Sequence, residues 1–205
     1  MLSGCTALES VTIPGSVESI GESAFYGCTS LNAVHIEDLA GWCEITFVNE
    51  AANPLYYAGN IYCGGSLVTN LVIPDGVTAI SDFAFLGCSG LTSLELAASV
   101  ESIGDYTFAM CSGIRELVTS DTLLSIGMGA FLECTGLESV TIGMAVTTIG
   151  SHAFGSCREL KSAIFKDGAV WHADNIVIVS LDLADTETAA TYLTDTYKSR
   201  IWTKS

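Results

Sequence analysis

Phe85, Phe108, Phe131 and Phe154 follow one another at a constant interval of 23 residues, and Cys5 precedes Cys28 by the same 23. The phenylalanines lie in the pattern Ala-Phe-x-x-Cys: Ala24-Phe25 to Cys28, Ala84-Phe85 to Cys88, Ala130-Phe131 to Cys134 and Ala153-Phe154 to Cys157. Thr107-Phe108 to Cys111 is a near match. So strict a register constrains the fold more than any composition, because periods of 20–50 residues belong to stacked architectures.

Two further pieces recur in each unit. After the cysteine comes Leu-x-x-φ-x-φ, with φ apolar, as in Leu8/Val11/Ile13, Leu31/Val34/Ile36, Leu91/Leu94/Leu96 and Leu137/Val140/Ile142. Next comes φ-x-x-Ile, usually followed by glycine, as in Val17/Ile20, Val77/Ile80, Val100/Ile103, Leu123/Ile126 and Val146/Ile149. Triplets such as Val11-Thr12-Ile13 alternate with the period of two of a strand buried on one face. Pro14 and Pro74 end such strands because proline removes a ladder donor. Gly21, Gly104, Gly127 and Gly150 are expected at bends where a Cβ would be costly. A single unit of this length cannot bury its Leu, Val, Ile and Phe, but stacked units bury one another's faces into one continuous core. The expected fold is therefore a β-rich solenoid of 23-residue repeats with about seven rungs, neighbouring strands lying roughly 4.8 Å apart.

The solenoid explains an otherwise odd composition. The chain has 205 residues, 49% of them hydrophobic, with 23 Asp and Glu against 7 Lys and Arg. Its formal net charge is -16 and its mean hydropathy is +0.48. Apolar residues fill ladders inside the stack while acids decorate the outside. Nucleic-acid binding is excluded, since phosphate contacts need clustered basic residues. No run approaches the roughly 18–20 apolar residues of a membrane span, so no membrane insertion is expected. No Lys or Arg precedes Arg115, whereas residues 1–114 hold 12 of the 23 acids. Whatever the N-terminal part touches is expected to be neutral or basic.

The string Val11 to Leu31, VTIPGSVESIGESAFYGCTSL, resembles the repeat of BspA-like leucine-rich repeat proteins, and the resemblance extends over about residues 2–165. It implies a right-handed solenoid and a place at the cell surface or among secreted proteins. Some members of the family are adhesins that bind host proteins. The partner does not transfer, because recognition lies in variable surface positions.

One unit breaks the period. Phe25 and Phe85 are 60 residues apart, and the triplet Val34–Ile36 is followed by its equivalent Leu71–Ile73, which makes one unit of 37 residues. The extra material, about residues 37–66, holds Trp42, Phe47, Tyr56, Tyr57 and Tyr62. Ile61 to Val68 reads as a hairpin around Gly64-Gly65. Insertions in solenoids map to one face and are often where binding occurs. The repeats stop after Phe165. Residues 176–179 read as a strand, 185–197 as a helix with Asp185 as N-cap, and 201–203 as another strand. The division expected is a solenoid at 1–165 with its aromatic insertion, and an α/β C-terminal cap at 166–205. Because Cys5 is already in register, the reading also expects further repeats or a signal peptide upstream.

The chemistry-bearing residues point away from catalysis. Six cysteines (Cys5, Cys28, Cys88, Cys111, Cys134, Cys157) share one repeat position, and no Cys-x-x-Cys pair is present. A line of sulfurs does not converge as a metal site requires, so they are expected as buried thiols acting as small hydrophobes. Cys43 and Cys63 could pair with each other. His35, His152 and His172 occupy different repeat positions, and there is no nucleophile elbow, phosphate loop, dinucleotide fingerprint or calcium loop. Neither an enzyme nor a cofactor is expected. The outward middle positions of the triplets, Thr12, His35, Val72, Glu95, Val118, Thr141 and Ile164, form a mixed column along the sheet. With Trp42, Tyr56, Tyr57 and Tyr62 from the insertion, Thr12, His35, Glu95 and Thr141 are the candidate partner-binding residues. The reading is a monomeric, non-enzymatic surface or secreted module that binds a protein or glycan, host-derived ligands included. The alternatives are a structural spacer and a carbohydrate-binding module that stacks sugars on Trp42, Tyr56 and Tyr57.

Overall fold

The structure is a computed structural model that describes residues 2–178 and 180–205, with all their side chains except those of Ser180 and Leu181. Each rung contributes a longer first strand and a two-residue second strand. The N-terminal rungs run β1 (Ser10–Ile13), β2 (Ser19–Ile20), β3 (Ala33–Ile36), α1 (Leu39–Glu44), β4 (Thr46–Phe47), α2 (Leu55–Ala58), β5 (Ile61–Cys63) and β6 (Ser66–Leu67). The regular rungs follow as β7 (Asn70–Val72), β8 (Ala79–Ile80), β9 (Ser93–Glu95), β10 (Ser102–Ile103), β11 (Glu116–Val118), β12 (Ser125–Ile126), β13 (Ser139–Ile142), β14 (Thr148–Ile149) and β15 (Ser162–Phe165). The C-terminal cap adds β16 (Trp171–Ala173), β17 (Ile176–Ile178), α3 (Ser180–Ala184), α4 (Thr186–Thr191) and β18 (Trp202–Lys204).

Parallel pairing joins residues one repeat apart, so equivalent side chains stack. Leu117, Val140 and Ala163 align in the first strands, and Ile80, Ile103, Ile126 and Ile149 align in the second. Phe85, Phe108, Phe131 and Phe154 form a buried ring stack with centroids 5.3, 5.3 and 5.5 Å apart. The cysteine position forms a second ladder beside it. The thiols of Cys111, Cys134 and Cys157 donate to the carbonyls of Phe85, Phe108 and Phe131 at 3.2, 3.1 and 3.1 Å. Burial pushes the Cys88 and Cys157 thiols up to about 12 and those of Cys111 and Cys134 well above their ordinary value. All eight cysteines are free, Cys43 and Cys63 included.

The glycines after the second strands are required by rung contact rather than by unusual dihedrals. A Cβ on Gly127 would lie 2.5 Å from the Gly104 carbonyl carbon. At Gly21, by contrast, a Cβ would meet nothing within 4 Å, so the expectation of a costly Cβ does not hold there.

The long unit differs from a single inserted block. Four extra residues lengthen the link between first and second strands, the segment that folds as α1: Phe47 pairs with Ile20, 27 residues earlier. Asp38 caps α1, accepting from the Ala40 and Gly41 amides at 3.0 Å each. The remainder is the β5–β6 hairpin around Gly64 and Gly65, both at positive φ (57° and 81°) as a tight two-residue turn requires. β5 pairs in parallel with β3, so the hairpin joins the first-strand sheet instead of standing apart from it.

At the other end β18 runs antiparallel to β14 and β16, closing the parallel stack. Trp171 and Trp202 are buried there beside Phe165, whose ring centroid lies 5.3 and 6.0 Å from theirs. Asp185 caps α4 through the Thr188 amide at 2.7 Å. Ala189, Ala190 and Leu193 are buried against the stack end, as the amphipathic pattern anticipates. The expected strand at 176–179 is observed over Ile176–Ile178, Val179 lying outside the described residues. Strand β16 and helix α3 were not anticipated.

Candidate functional site

The outward residues of the first strands come together unevenly. Cross-strand register places Thr12 beside His35, His35 beside Tyr62, and Tyr62 beside Leu67. The His35 and Tyr62 rings stack at 4.8 Å and 28°. Two residues thus meet that the sequence places in different features, one in the strand column and one in the insertion. Further along, Val72 pairs with Glu95, and Val118 with Thr141 and Ile164. Val72, Val118 and Ile164 are 48%, 48% and 45% exposed, an apolar series on an otherwise polar face.

The column is interrupted. The first-strand sheet falls into three hydrogen-bonded parts, with breaks between the hairpin and β7 and between β9 and β11. At the second break a groove of about 570 Å³ opens, lined by Glu95, Arg115, Glu116 and Val118 among others. Arg115 at its wall also reaches the next rung, its Nη1 lying 3.7 Å from a Glu138 carboxylate oxygen and donating to the Gly136 carbonyl at 3.3 Å. The second-strand sheet stays paired at the same level, Ser102 to Ser125, so the rungs splay on one side only.

The insertion aromatics do not form one platform. Trp42 is 2% exposed, its ring edge-on to Phe47 at 5.3 Å and its Nε1–H donating to the Ala84 carbonyl at 2.9 Å. It is a core residue, which removes it from the candidate binding set and takes away the largest ring of the sugar-stacking alternative. The half-buried Tyr57 accepts the Gly27 amide on its hydroxyl at 3.0 Å. Tyr56 is exposed and meets Tyr57 edge-on at 5.1 Å.

Asn53, whose pairing with Pro54 marks a turn, is fully buried and donates from Nδ2 to the carbonyls of Phe83 and Ala84 at 2.6 and 2.9 Å. Its Oδ1 accepts the Leu55 amide at 2.9 Å. Nothing in a lone Asn-Pro dipeptide signals such a bridge. Burial holds the ladder thiols of Cys88 and Cys157 protonated far above neutral pH, opposite to the lowered pKa that thiolate chemistry needs. Among the described residues no helix is long and apolar enough to cross a membrane.

The family described as the BspA type leucine-rich repeat region matches in six copies over residues 1–49 and 59–171. The chain belongs to this family. The interval that the match skips is the one that carries α2, where the regular turn is replaced. BspA-type repeats are generally non-enzymatic binding scaffolds. Among solved structures the chain is similar to a leucine-rich repeat protein from Eubacterium ventriosum, with 17% identity and a TM-score of 0.51 over 78% of this chain and 55% of that one. It is also similar to a leucine-rich repeat protein from Bacteroides ovatus, with 25% identity and a TM-score of 0.49 over 76% of this chain and 37% of that one. A third is described as a leucine rich cell surface protein from Faecalibacterium prausnitzii, with 22% identity and a TM-score of 0.41 over 77% of this chain and 61% of that one. The chain thus spans between 37% and 61% of the length of these structures. Comparison with curated proteins gives no match.

Proposed function

We propose that the chain is an adhesin-like binding module of a surface or secreted protein, taking a protein partner on the face of its first-strand sheet. In this reading residues 1–165 form the binding solenoid, 166–205 cap it, and the module works as a monomer without catalysis. The observation that carries the proposal is the row Thr12, His35, Tyr62 and Leu67, aligned across four hydrogen-bonded strands with the His35 and Tyr62 rings in contact. Aromatic rings held on a rigid sheet supply contact area at low entropic cost, the usual character of interface anchors. The acidic N-terminal part favours a neutral or basic partner surface. A glycan partner is less well supported, because Trp42 is in the core and Tyr57 is engaged by Gly27.

The test is a binding screen of the chain against immobilised extracellular-matrix proteins and a glycan array, repeated with His35→Ala and Tyr62→Ala. A protein ligand whose affinity falls about tenfold or more with either variant, as an interface anchor's truncation does, supports the sheet face. A ligand that binds both variants as tightly as the parent chain overturns it.

A further inference from the structure

A second surface feature lies on the turns that follow the second strands, not on the sheet. The tips of three turns enclose a cleft of about 170 Å³ lined by Tyr56, Phe83, Tyr106 and Met110, with Glu50 and Glu133 also at its wall. The Phe83 and Tyr106 rings stack at 5.7 Å and 3°. Both residues occupy the left-handed region, φ 62° and 53°, and so does Gly129 one repeat later at 59°. The side chains at the first two positions therefore leave the backbone in a direction most residues avoid. Gly129 makes room for them: a Cβ there would lie 2.5 Å from the Tyr106 Cε1. The aromatic row is thus built out over a glycine, and Tyr56 from α2 and Met110 stand beside it, each 39% exposed.

Ring faces and carboxylates together specify a ligand charge. An aromatic face attracts a cation through its quadrupole, and Glu50 and Glu133, both exposed, add full negative charges. No Lys, Arg or His lines the cleft, and no Lys or Arg precedes Arg115 anywhere in the chain. We propose that this cleft receives an arginine or lysine side chain from a basic segment of a partner protein, with the cation over the Phe83–Tyr106 row and its donors toward Glu50 and Glu133. The assignment does not depend on the sheet face, and either surface can fail without the other.

The probe is the peptide acetyl-Gly-Arg-Gly-amide, titrated into the full chain by NMR beside its citrulline counterpart, which keeps the shape and lacks the charge. The arginine peptide is expected to shift the Tyr56, Tyr106 and Met110 resonances, and the citrulline peptide to leave them in place. Tyr106→Gly is expected to weaken the arginine peptide about threefold, the scale of a solvent-accessible cation–π contact. That variant places at 106 the residue that Gly129 already carries in the same conformation, so the rung is retained. Glu133→Gln should weaken binding by a similar factor, whereas Glu18→Gln, the same loss of charge on the first rung, should not. Equal weakening by Glu133→Gln and Glu18→Gln would reduce the effect to diffuse attraction and overturn the site. Equal binding of the citrulline peptide would overturn it in favour of neutral, sugar-like or apolar occupants.

Discussion

From Leu71 to Phe165 each rung meets the next through backbone in constant register, whereas the stretch from Ala33 to Cys63 meets the rung after it through scattered backbone bonds, Ser81 N–H to the Cys43 carbonyl and Gly90 N–H to that of Gly59, supplemented by side chains. The amides of Phe85, Phe108 and Phe131 donate to the carbonyls of Thr107, Ala130 and Ala153 at 2.8 Å each. The Ala84 carbonyl stands one repeat before that of Thr107 and would receive the same kind of bond. It receives the Trp42 indole and the Asn53 amide side chain instead. An irregular rung therefore stays in a regular stack by supplying side-chain donors where its own backbone no longer reaches. The same irregularity places Tyr62 against His35 and Tyr56 over the Phe83–Tyr106 turns. Both candidate surfaces arise where the repeat departs from its rule.

If that substitution of side chain for backbone is real, Asn53→Ala should be among the most damaging changes in the irregular rung. It removes one of two donors from each of the Phe83 and Ala84 carbonyls, which keep the Leu86 amide and the Trp42 indole, and it leaves the buried Leu55 amide without a partner, a loss of about 2 kcal/mol on the scale of unsatisfied buried groups. Chemical denaturation would show it as a lower midpoint at unchanged slope. A variant within about 0.5 kcal/mol of the parent, the level of an ordinary surface change, would mean that the irregular rung is held by apolar packing and its remaining backbone bonds.

The regular half was legible because one spacing assigns every ladder: once Phe85 and Phe108 are aligned, the thiols, second strands and outward column follow. The irregular half was not, because its register is offset. β5 pairs with β3 at an interval of 27 residues, Val34 to Ile61, so aligning on the standard repeat hides the His35–Tyr62 contact. Trp42 looked like a ligand platform because an aromatic in an insertion has no ladder to claim it; its indole partner, Ala84, lies 42 residues away. The cleft was out of reach for a related reason, since Tyr56, Phe83 and Tyr106 come from three separate turns and only the stack brings them together. Strand β16 escaped notice because Trp171-His172-Ala173 is too short to alternate recognisably.

One property should erase the contrast between the halves. Cys43 in the irregular rung, like Cys88 and Cys157 in the ladder, is pushed up to about 12, by burial first and then, for Cys43, by Glu44 and Asp38. Each folded thiol thus titrates above its ordinary value of 9.0. The stability it contributes is full below that value and is lost as pH rises toward 12. At about pH 10.5 the loss is about 2 kcal/mol per thiol. Stability curves of the parent and of Cys157→Ala or Cys43→Ala should therefore converge by that amount between neutral and alkaline pH. Tyrosine ionisation is common to all three and cancels. Parallel curves would sink the idea that buried thiols set the alkaline limit.

The smallest expected effect concerns the left-handed position near the end of each Ala-Phe-x-x-Cys turn. Gly4, Gly27 and Gly87 occupy it in the N-terminal rungs, with φ between 75° and 78°, whereas Met110, Glu133 and Ser156 occupy it later at 63°, 59° and 60°. A Cβ in that region is disfavoured by about 1 kcal/mol or more, partly offset because glycine also loosens the unfolded chain. Ser156→Gly should consequently stabilise the protein by about 0.5 kcal/mol, read as a small rise in melting temperature. Gly87→Ala should do the reverse and by more, since its Cβ would also sit 3.0 Å from the Tyr56 Cα. The asymmetry has a structural source: α2 lies against the Gly87 turn and leaves no space beside it. Ser156 closes the last turn of the series, where a side chain is accommodated at a cost in strain. A Ser156→Gly variant less stable than the parent would show that the later rungs have adapted to their side chains there, and that glycine at 87 answers to crowding alone.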